Sequence, residues 1–193
     1  MYEYIEGTLK ETNPSYCVIE TGGIGYFIQI SLSTYSQLQS QTKAKLYLHH
    51  VVREDAQLLF GFSGKQEREM FRMLITVSGI GANTARMMLS SLSPEDIRQA
   101  VLGGNTALLQ GIKGIGTKTA QRVIIDLRDK IGKEKSPGDL FAVKDNRLKD
   151  EALTALIMLG FNKNEADKVI SKILLAENSL TLEELIKKAL KQL

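Results

Sequence analysis

Tryptophan is absent from this chain, and cysteine occurs once, at Cys17. A lone cysteine excludes an intrachain disulfide, a thiolate zinc site and an iron–sulfur cluster, and it suits a reducing, cytoplasmic setting. No apolar run approaches the roughly 20 residues that a membrane-spanning helix needs, and Met1-Tyr2-Glu3-Tyr4 does not open a signal peptide. There is no Gly-x-x-x-x-Gly-Lys-Ser/Thr loop for a nucleotide. The only histidines, His49 and His50, are adjacent on an expected strand and point to opposite faces, so they cannot share a metal. Neither a catalytic constellation nor a cofactor site is expected.

Charge is mild overall, at +3, but unevenly placed. Residues 1–62 carry four basic and six acidic side chains, residues 63–135 carry 12 and seven, and residues 136–193 carry nine of each. The surplus of positive charge falls on the middle of the chain, where a polyanionic partner would be met.

That middle segment repeats itself. Leu74-x-x-Val77-x-Gly79-Ile80-Gly81-x-x-x-Ala85-x-x-Met88-Leu89 returns at an offset of 35 as Leu109-x-x-Ile112-x-Gly114-Ile115-Gly116-x-x-x-Ala120-x-x-Val123-Ile124. Each copy leads a short apolar helix into Gly-Ile-Gly and then into a second helix. Glycine admits positive φ and close approach by another backbone, and the unpaired N–H groups at a helix start form an anion site. One Gly-x-Gly would be no more than a tight turn; a full repeat beside basic residues fits a ligand with evenly spaced phosphates. The pattern looks like a tandem helix-hairpin-helix motif of DNA-binding proteins. The expected phosphate ligands are Gly79, Gly81, Asn83 and Thr84 in the first copy, and Gly114, Gly116, Thr117, Lys118, Thr119 and Arg122 in the second.

Around this core the chain divides into parts. Residues 1–62 read as strands: Tyr26, Ile28 and Ile30, then Leu46 and Leu48, alternate at period two, and Gly22-Gly23 marks a hairpin. Five short strands with a helical turn near Ser33–Gln39 are expected to close an OB-type barrel. Nine of the 12 aromatics lie here, as core or, on a rival reading, as stacking platforms for single strands. A helix is expected over Ser63–Val77 with Ser63 and Gln66 as a capping box. Ser93-Pro94-Glu95-Asp96 starts another, Asn105 caps a short one, and Thr117–Ile131 forms a long one carrying Lys118, Arg122, Arg128 and Lys130. Residues 133–147 form a tether, and 148–193 a neutral three-helix bundle suited to a protein partner. Its helix breaks are Gly160, Asn162 with Glu165, and Thr181 with Glu184. The expected class is α+β and multidomain: barrel at 1–62, all-α tandem hairpin domain at 63–132, bundle at the end.

Glu54-Asp55 sits at a polar tip between the runs Val51-Val52 and Gln57–Phe60. Two adjacent carboxylates there could serve as turn chemistry, as half of a nuclease metal site, or as a charge-based device facing DNA.

The order of parts, together with the stretches Val51–Phe62, Gly114-Ile115-Gly116-Thr117-Lys118-Thr119-Ala120 and Leu159-Gly160-Phe161, resembles the RuvA family of Holliday-junction recognition subunits over essentially the whole chain. The resemblance implies a homotetramer, or two facing tetramers, that holds a four-way junction open and square with Glu54 and Asp55 as an acidic pin. It further implies that the bundle engages a RuvB-type hexameric ATPase, for which Leu156, Leu159 and Leu190 are the candidate contacts, and that a RuvC-type resolvase is a further partner. In one place the sequence departs from the family: its first hairpin often carries a lysine two residues past the second glycine, whereas Gly81 is followed here by Ala82-Asn83-Thr84, with Arg86 the nearest cation. The competing reading is a general DNA-binding accessory module without junction preference.

Overall fold

The structure is a computed structural model and describes residues 2–133, 144–176 and 180–193. The chain forms two compact units, residues 1–134 and 135–193.

In the first unit, strands β1 (Tyr4–Asn13), β2 (Tyr16–Thr21), β3 (Ile24–Ile30), β4 (Lys43–Val52) and β5 (Gln57–Phe62) close a barrel in the order β1-β2-β3-β5-β4. Closure rests on a short parallel pairing, Gln29 with Phe60 and Ile30 with Gly61, while every other pair is antiparallel. Alternation works as the sequence suggests. Cys17, Ile19, Ile28, Ile30, Leu46 and Leu48 point inward and are buried, and their neighbours face out. Gly22 and Gly23, at φ +58° and +79°, make the tight β2–β3 turn that needs two left-handed residues. Helix α1 (Leu32–Leu38) connects β3 to β4 along the chain, its start capped by the Ser31 hydroxyl, which accepts from the Thr34 N–H at 3.0 Å.

The helical pattern that follows resolves into α2 (Lys65–Leu74), α3 (Ala82–Ser91), α4 (Pro94–Leu102), α5 (Thr106–Gln110) and α6 (Thr117–Lys133) in this unit. Ser93 and Asp96 form a reciprocal capping box with Pro94 in the first turn, and Asn105 caps α5 by accepting from the Leu108 N–H. The Ser63–Gln66 box does not form. Gly64 is the residue at the N-cap and makes no side-chain bond, because Ser63 is held by its backbone N–H, which donates to Thr34 Oγ1 at 3.1 Å. The helix also stops short of Val77: Thr76 and Val77 donate to Met73 and Leu74, three residues back, which tightens the chain into the hairpin.

The barrel keeps its own interior cluster, and β5 also contributes to the core of the helices. Phe60 and Phe62 of β5 pack on Phe71 of α2 at ring separations of 5.1 and 4.9 Å, and these rings are continuous with the buried side chains of α3, α4 and α6. A polar seam runs beside it. The buried Glu67 carboxylate accepts from the hydroxyls of Ser31 and Thr34, and burial raises its pKa despite those bonds. Arg68, equally buried, donates from Nη2 to Glu3 Oε1 at 2.6 Å and from Nη1 to the Glu3 carbonyl at 3.0 Å, tying the chain start to α2.

The second unit contains α7 (Lys144–Met158), α8 (Lys163–Ala176) and α9 (Leu182–Leu190) around Ala152, Leu156, Ala166, Ile170, Ile173, Leu185 and Ala189. Past α7, Gly160 donates to Ile157 and Phe161 to Leu156, a paired closure made with Gly160 at φ +98°. Thr181 and Glu184 form the expected capping box. Most of the expected tether, 134–143, lies outside the described residues, and its last four positions, from Lys144, belong to α7.

Candidate nucleic-acid interface

The two Gly-Ile-Gly hairpins have the same construction. Leu74, Val77, Ile80, Ala85, Met88 and Leu89 of the first copy and Leu109, Ile112, Ile115, Ala120, Val123 and Ile124 of the second are all buried. The central isoleucine plugs the core and turns the flanking glycines outward. Gly79 and Gly114 stand at φ +92° and +94°, where a Cβ would be strained. Ile80 donates to Val77 and Ile115 to Ile112, both at 3.0 Å.

The second glycines work differently. Gly81 has φ −85° and ψ 169° and serves as the N-cap of α3 without a side-chain bond. A Cβ at Gly81 or Gly116 would meet nothing within 4 Å. Positive φ is therefore a requirement of only the first glycine in each pair, and the second leaves an open concavity. The first intrahelical bonds, Ala85 to Gly81 and Ala120 to Gly116, are both 2.9 Å. The N–H groups ahead of them, at residues 82–84 and 117–119, are left pointing out at the positive end of a helix. Asn83, Thr117 and Lys118 are exposed and Thr84 and Thr119 half-buried, so each cradle has side-chain donors at its lip.

Most cations of the middle segment are engaged within the protein. Arg68 and Arg72 pair with Glu3 and Glu69, and Lys65 lies over the Tyr47 ring. Arg98 donates to the Ile131 carbonyl, Arg128 to that of Leu102, and Lys130 to Thr76 Oγ1. Arg128 and Lys130 are thereby engaged within the protein rather than left free for a phosphate. Arg86, the expected cation of the first hairpin, is turned into the protein as well: its Nη1 donates to the Ser15 carbonyl at 2.7 Å and toward that of Ile30 at 3.4 Å. Among the described residues of this segment, exposed and unpaired cations remain at Lys113, Lys118 and Arg122, all on the second hairpin. Lys113 is not among the expected ligands; its position directly before Gly114 is the signal that could have marked it. The first hairpin has neutral donors only.

Glu54 and Asp55 lie in the four-residue connection of β4 and β5, closed by the Arg53 N–H donating to Ala56 O at 2.8 Å beyond the last pair, Val52 with Gln57. Both are exposed, and neither is in an ion pair among the described residues. His49 packs edge-on to Phe71 and His50 against Tyr2, on opposite faces of β4. In the bundle, Leu159 and Leu190 are 61% and 41% exposed, but Leu156 is fully buried. Leu156 belongs to the core and cannot touch a partner, since it sits one helical position inward of the exposed Ile157-Met158-Leu159 ridge.

Comparison with known proteins agrees along the chain. Residues 1–61 match the RuvA N-terminal domain, residues 71–129 a SAM-like tandem helix-hairpin-helix, and residues 148–193 the RuvA C-terminal domain. The Holliday junction branch migration complex subunit RuvA of Christiangramia forsetii is 49% identical over 193 residues, with both chains covered completely. The proteins of the same name from Bacteroides thetaiotaomicron and Flavobacterium psychrophilum are 47% and 46% identical, again over the full length of each chain. With three family domains matched in order and full-length relatives near half identity, the chain belongs to the RuvA family.

Proposed function

We propose that this protein is a non-catalytic DNA-binding subunit that recognises four-way junctions, holds them open and square, and couples them to a RuvB-type ATPase for branch migration in recombination and repair. The observation that carries the reading is the pair of matched Gly-Ile-Gly cradles, whose unpaired N–H groups suit two phosphates of a duplex arm without reading a base. The relatives' shared name, a branch migration complex subunit, supports the same role.

In this reading the four parts act separately. The hairpins at 63–132 grip the arms from outside, with Lys113, Lys118 and Arg122 supplying counter-charge. The barrel at 1–62 presents Glu54 and Asp55, which repel phosphates: two unit charges 4 Å apart cost about 1 kcal/mol in water and several times more where solvent is thinned. Placed around a fourfold axis, these acids would keep strands parted at the crossover. The tether ahead of α7 lets the bundle at 148–193 reach the motor, with Leu159 and Leu190 in an apolar contact. A homotetramer, or two facing tetramers, supplies the fourfold arrangement; a RuvC-type resolvase is the further partner, and the setting is cytoplasmic.

A single-strand reading draws on Phe27, 57% exposed and stacked on Tyr16 at 4.7 Å. The Tyr16 hydroxyl donates to Glu11, however, and the nearby Lys10 is paired with Glu20, so that patch offers a strand no free cation. The deciding experiment is competition at one salt concentration between a four-way junction and duplex of equal length, with light scattering for mass. Equal affinity for the two would leave only a general DNA-binding module.

A further inference from the structure

Arg86 lies on α3 three residues past Asn83, so helical spacing places it on the side of the first phosphate cradle. The structure takes it elsewhere. Its guanidinium reaches the carbonyls of Ser15, in the β1–β2 turn, and Ile30, at the end of β3, two points that the Ile30 N–H to Ser15 O bond of 3.1 Å already holds together. One turn further along the same face, Ser90 Oγ accepts from the Leu32 N–H at 3.1 Å while donating to the Arg86 carbonyl at 2.9 Å. The Ile30 and Leu32 contacts flank Ser31 at the start of α1, the region where Ser31 and Thr34 hold Glu67 of α2.

We propose that Arg86 is a positioning residue: it fixes the tilt of α3 on the barrel and so sets where the first hairpin stands relative to the Glu54–Asp55 turn. Its partners are neutral carbonyls, its Nε–H is buried without a partner among the described residues, and no carboxylate balances its charge. A charge held that way adds little to stability for its own sake; what it does supply is one guanidinium nitrogen, Nη1, that reaches the β1–β2 turn and the end of β3 from one helix, a bond further from the backbone than a lysine ammonium sits. The second hairpin has no such tie. The position 35 residues on from Arg86 is Gln121, exposed and bonded to no other side chain among the described residues. One cradle is thus aimed by the barrel and carries no free cation; the other carries the cations and is held within the helical part, where Arg128 and Lys130 of its own helix bond to the Leu102 carbonyl and Thr76 Oγ1.

This inference rests on the junction reading, so its test has one arm that does not. In Arg86→Lys, which keeps the charge, and Arg86→Gln, which removes it, junction and equal-length duplex affinities are measured across a salt series after folding is verified by melting. A positioning role predicts that both variants lose junction preference by about tenfold or more, the size of one charge-assisted hydrogen bond, with the duplex salt slope unchanged. If Lys binds like the parent while Gln lowers the duplex slope by about 0.9, Arg86 is a phosphate ligand and the proposal falls. It falls too if both variants discriminate like the parent. The independent arm uses spin labels at Gln57→Cys and Ser91→Cys, diluted into unlabelled protein; Cys17 is buried, with its thiol pushed up to about 12, and escapes labelling. The label distance should be narrow in the parent and broad or displaced in both variants, and an unchanged distribution overturns the strut. Should the parent show no junction preference, the proposed function fails and this distance alone decides for or against Arg86.

Discussion

Gly79 and Gly114, 35 residues apart, adopt the same left-handed conformation within 2° of φ, each followed by a buried isoleucine that anchors it. Gly81 and Gly116 share the motif without sharing the conformation. Substitution should separate the two roles. Gly114→Val should lose about 1–3 kcal/mol of stability from backbone strain along with junction binding, whereas Gly116→Val, with its side chain in open space, should melt near the parent and still lose binding. Thermal melts beside anisotropy titrations check this, and a Gly114→Val protein that folds and binds normally would dismiss the cradle.

Salt dependence should be carried by one hairpin. Replacing Lys113, Lys118 or Arg122 by Met should each reduce the slope of log K against log salt by about 0.9 for every phosphate that a subunit no longer neutralises. Asn83→Ala should weaken binding with the slope intact, since the first hairpin works through neutral donors. Arm sequence should have little effect throughout, and a strong preference among junctions that differ only in sequence would contradict backbone recognition.

Glu54→Gln with Asp55→Asn should tighten binding to plain duplex and erode the junction-to-duplex ratio, because two uncompensated negative charges leave a surface that meets phosphates. Side-by-side affinities at one ionic strength measure it. An unchanged ratio in a folded mutant reduces the pair to turn chemistry.

A protein ending near Lys135 should bind junctions as the full chain does but fail to stimulate a RuvB-type motor. Leu159→Glu and Leu190→Glu should reproduce that loss with the bundle still folded. Leu156→Ala should act by another route, costing about 2–5 kcal/mol of bundle stability through the cavity it leaves. Full branch-migration rate from the shortened protein would remove the bundle's coupling role.

Glu67 supplies a pH signature. Burial raises its pKa in the folded chain, so the folded state binds this proton more tightly than the unfolded state does, and its contribution to stability grows as pH falls through the raised value and levels off near the ordinary carboxylate range. The stability difference between parent and Glu67→Gln should therefore shift in the parent's favour over that window. Denaturant melts at pH 7, 6, 5 and 4 would show it; a pH-independent difference would mean that Glu67 titrates as an ordinary surface acid.

Local rules reached much of this molecule from sequence alone. Period-two alternation marked the barrel strands, Ser93, Asn105 and Thr181 marked helix starts, and the 35-residue repeat marked both hairpins, because each of these signals depends on backbone sterics and neighbours a few residues away. Beyond their reach lay the destination of side chains that act across the chain. Arg86 reads as a phosphate cation by its spacing, yet it ends on Ser15 and Ile30, 71 and 56 residues earlier. Ser63 has the composition of a cap and serves instead in the seam with Thr34, while Leu156 belongs to the bundle core and Leu159 to its surface. A guanidinium or a hydroxyl bonds with whatever acceptor the packed elements bring within about 3 Å, and only the closed barrel, docked on α2 and α3 through Phe60, Phe62 and Phe71, decides which acceptors those are.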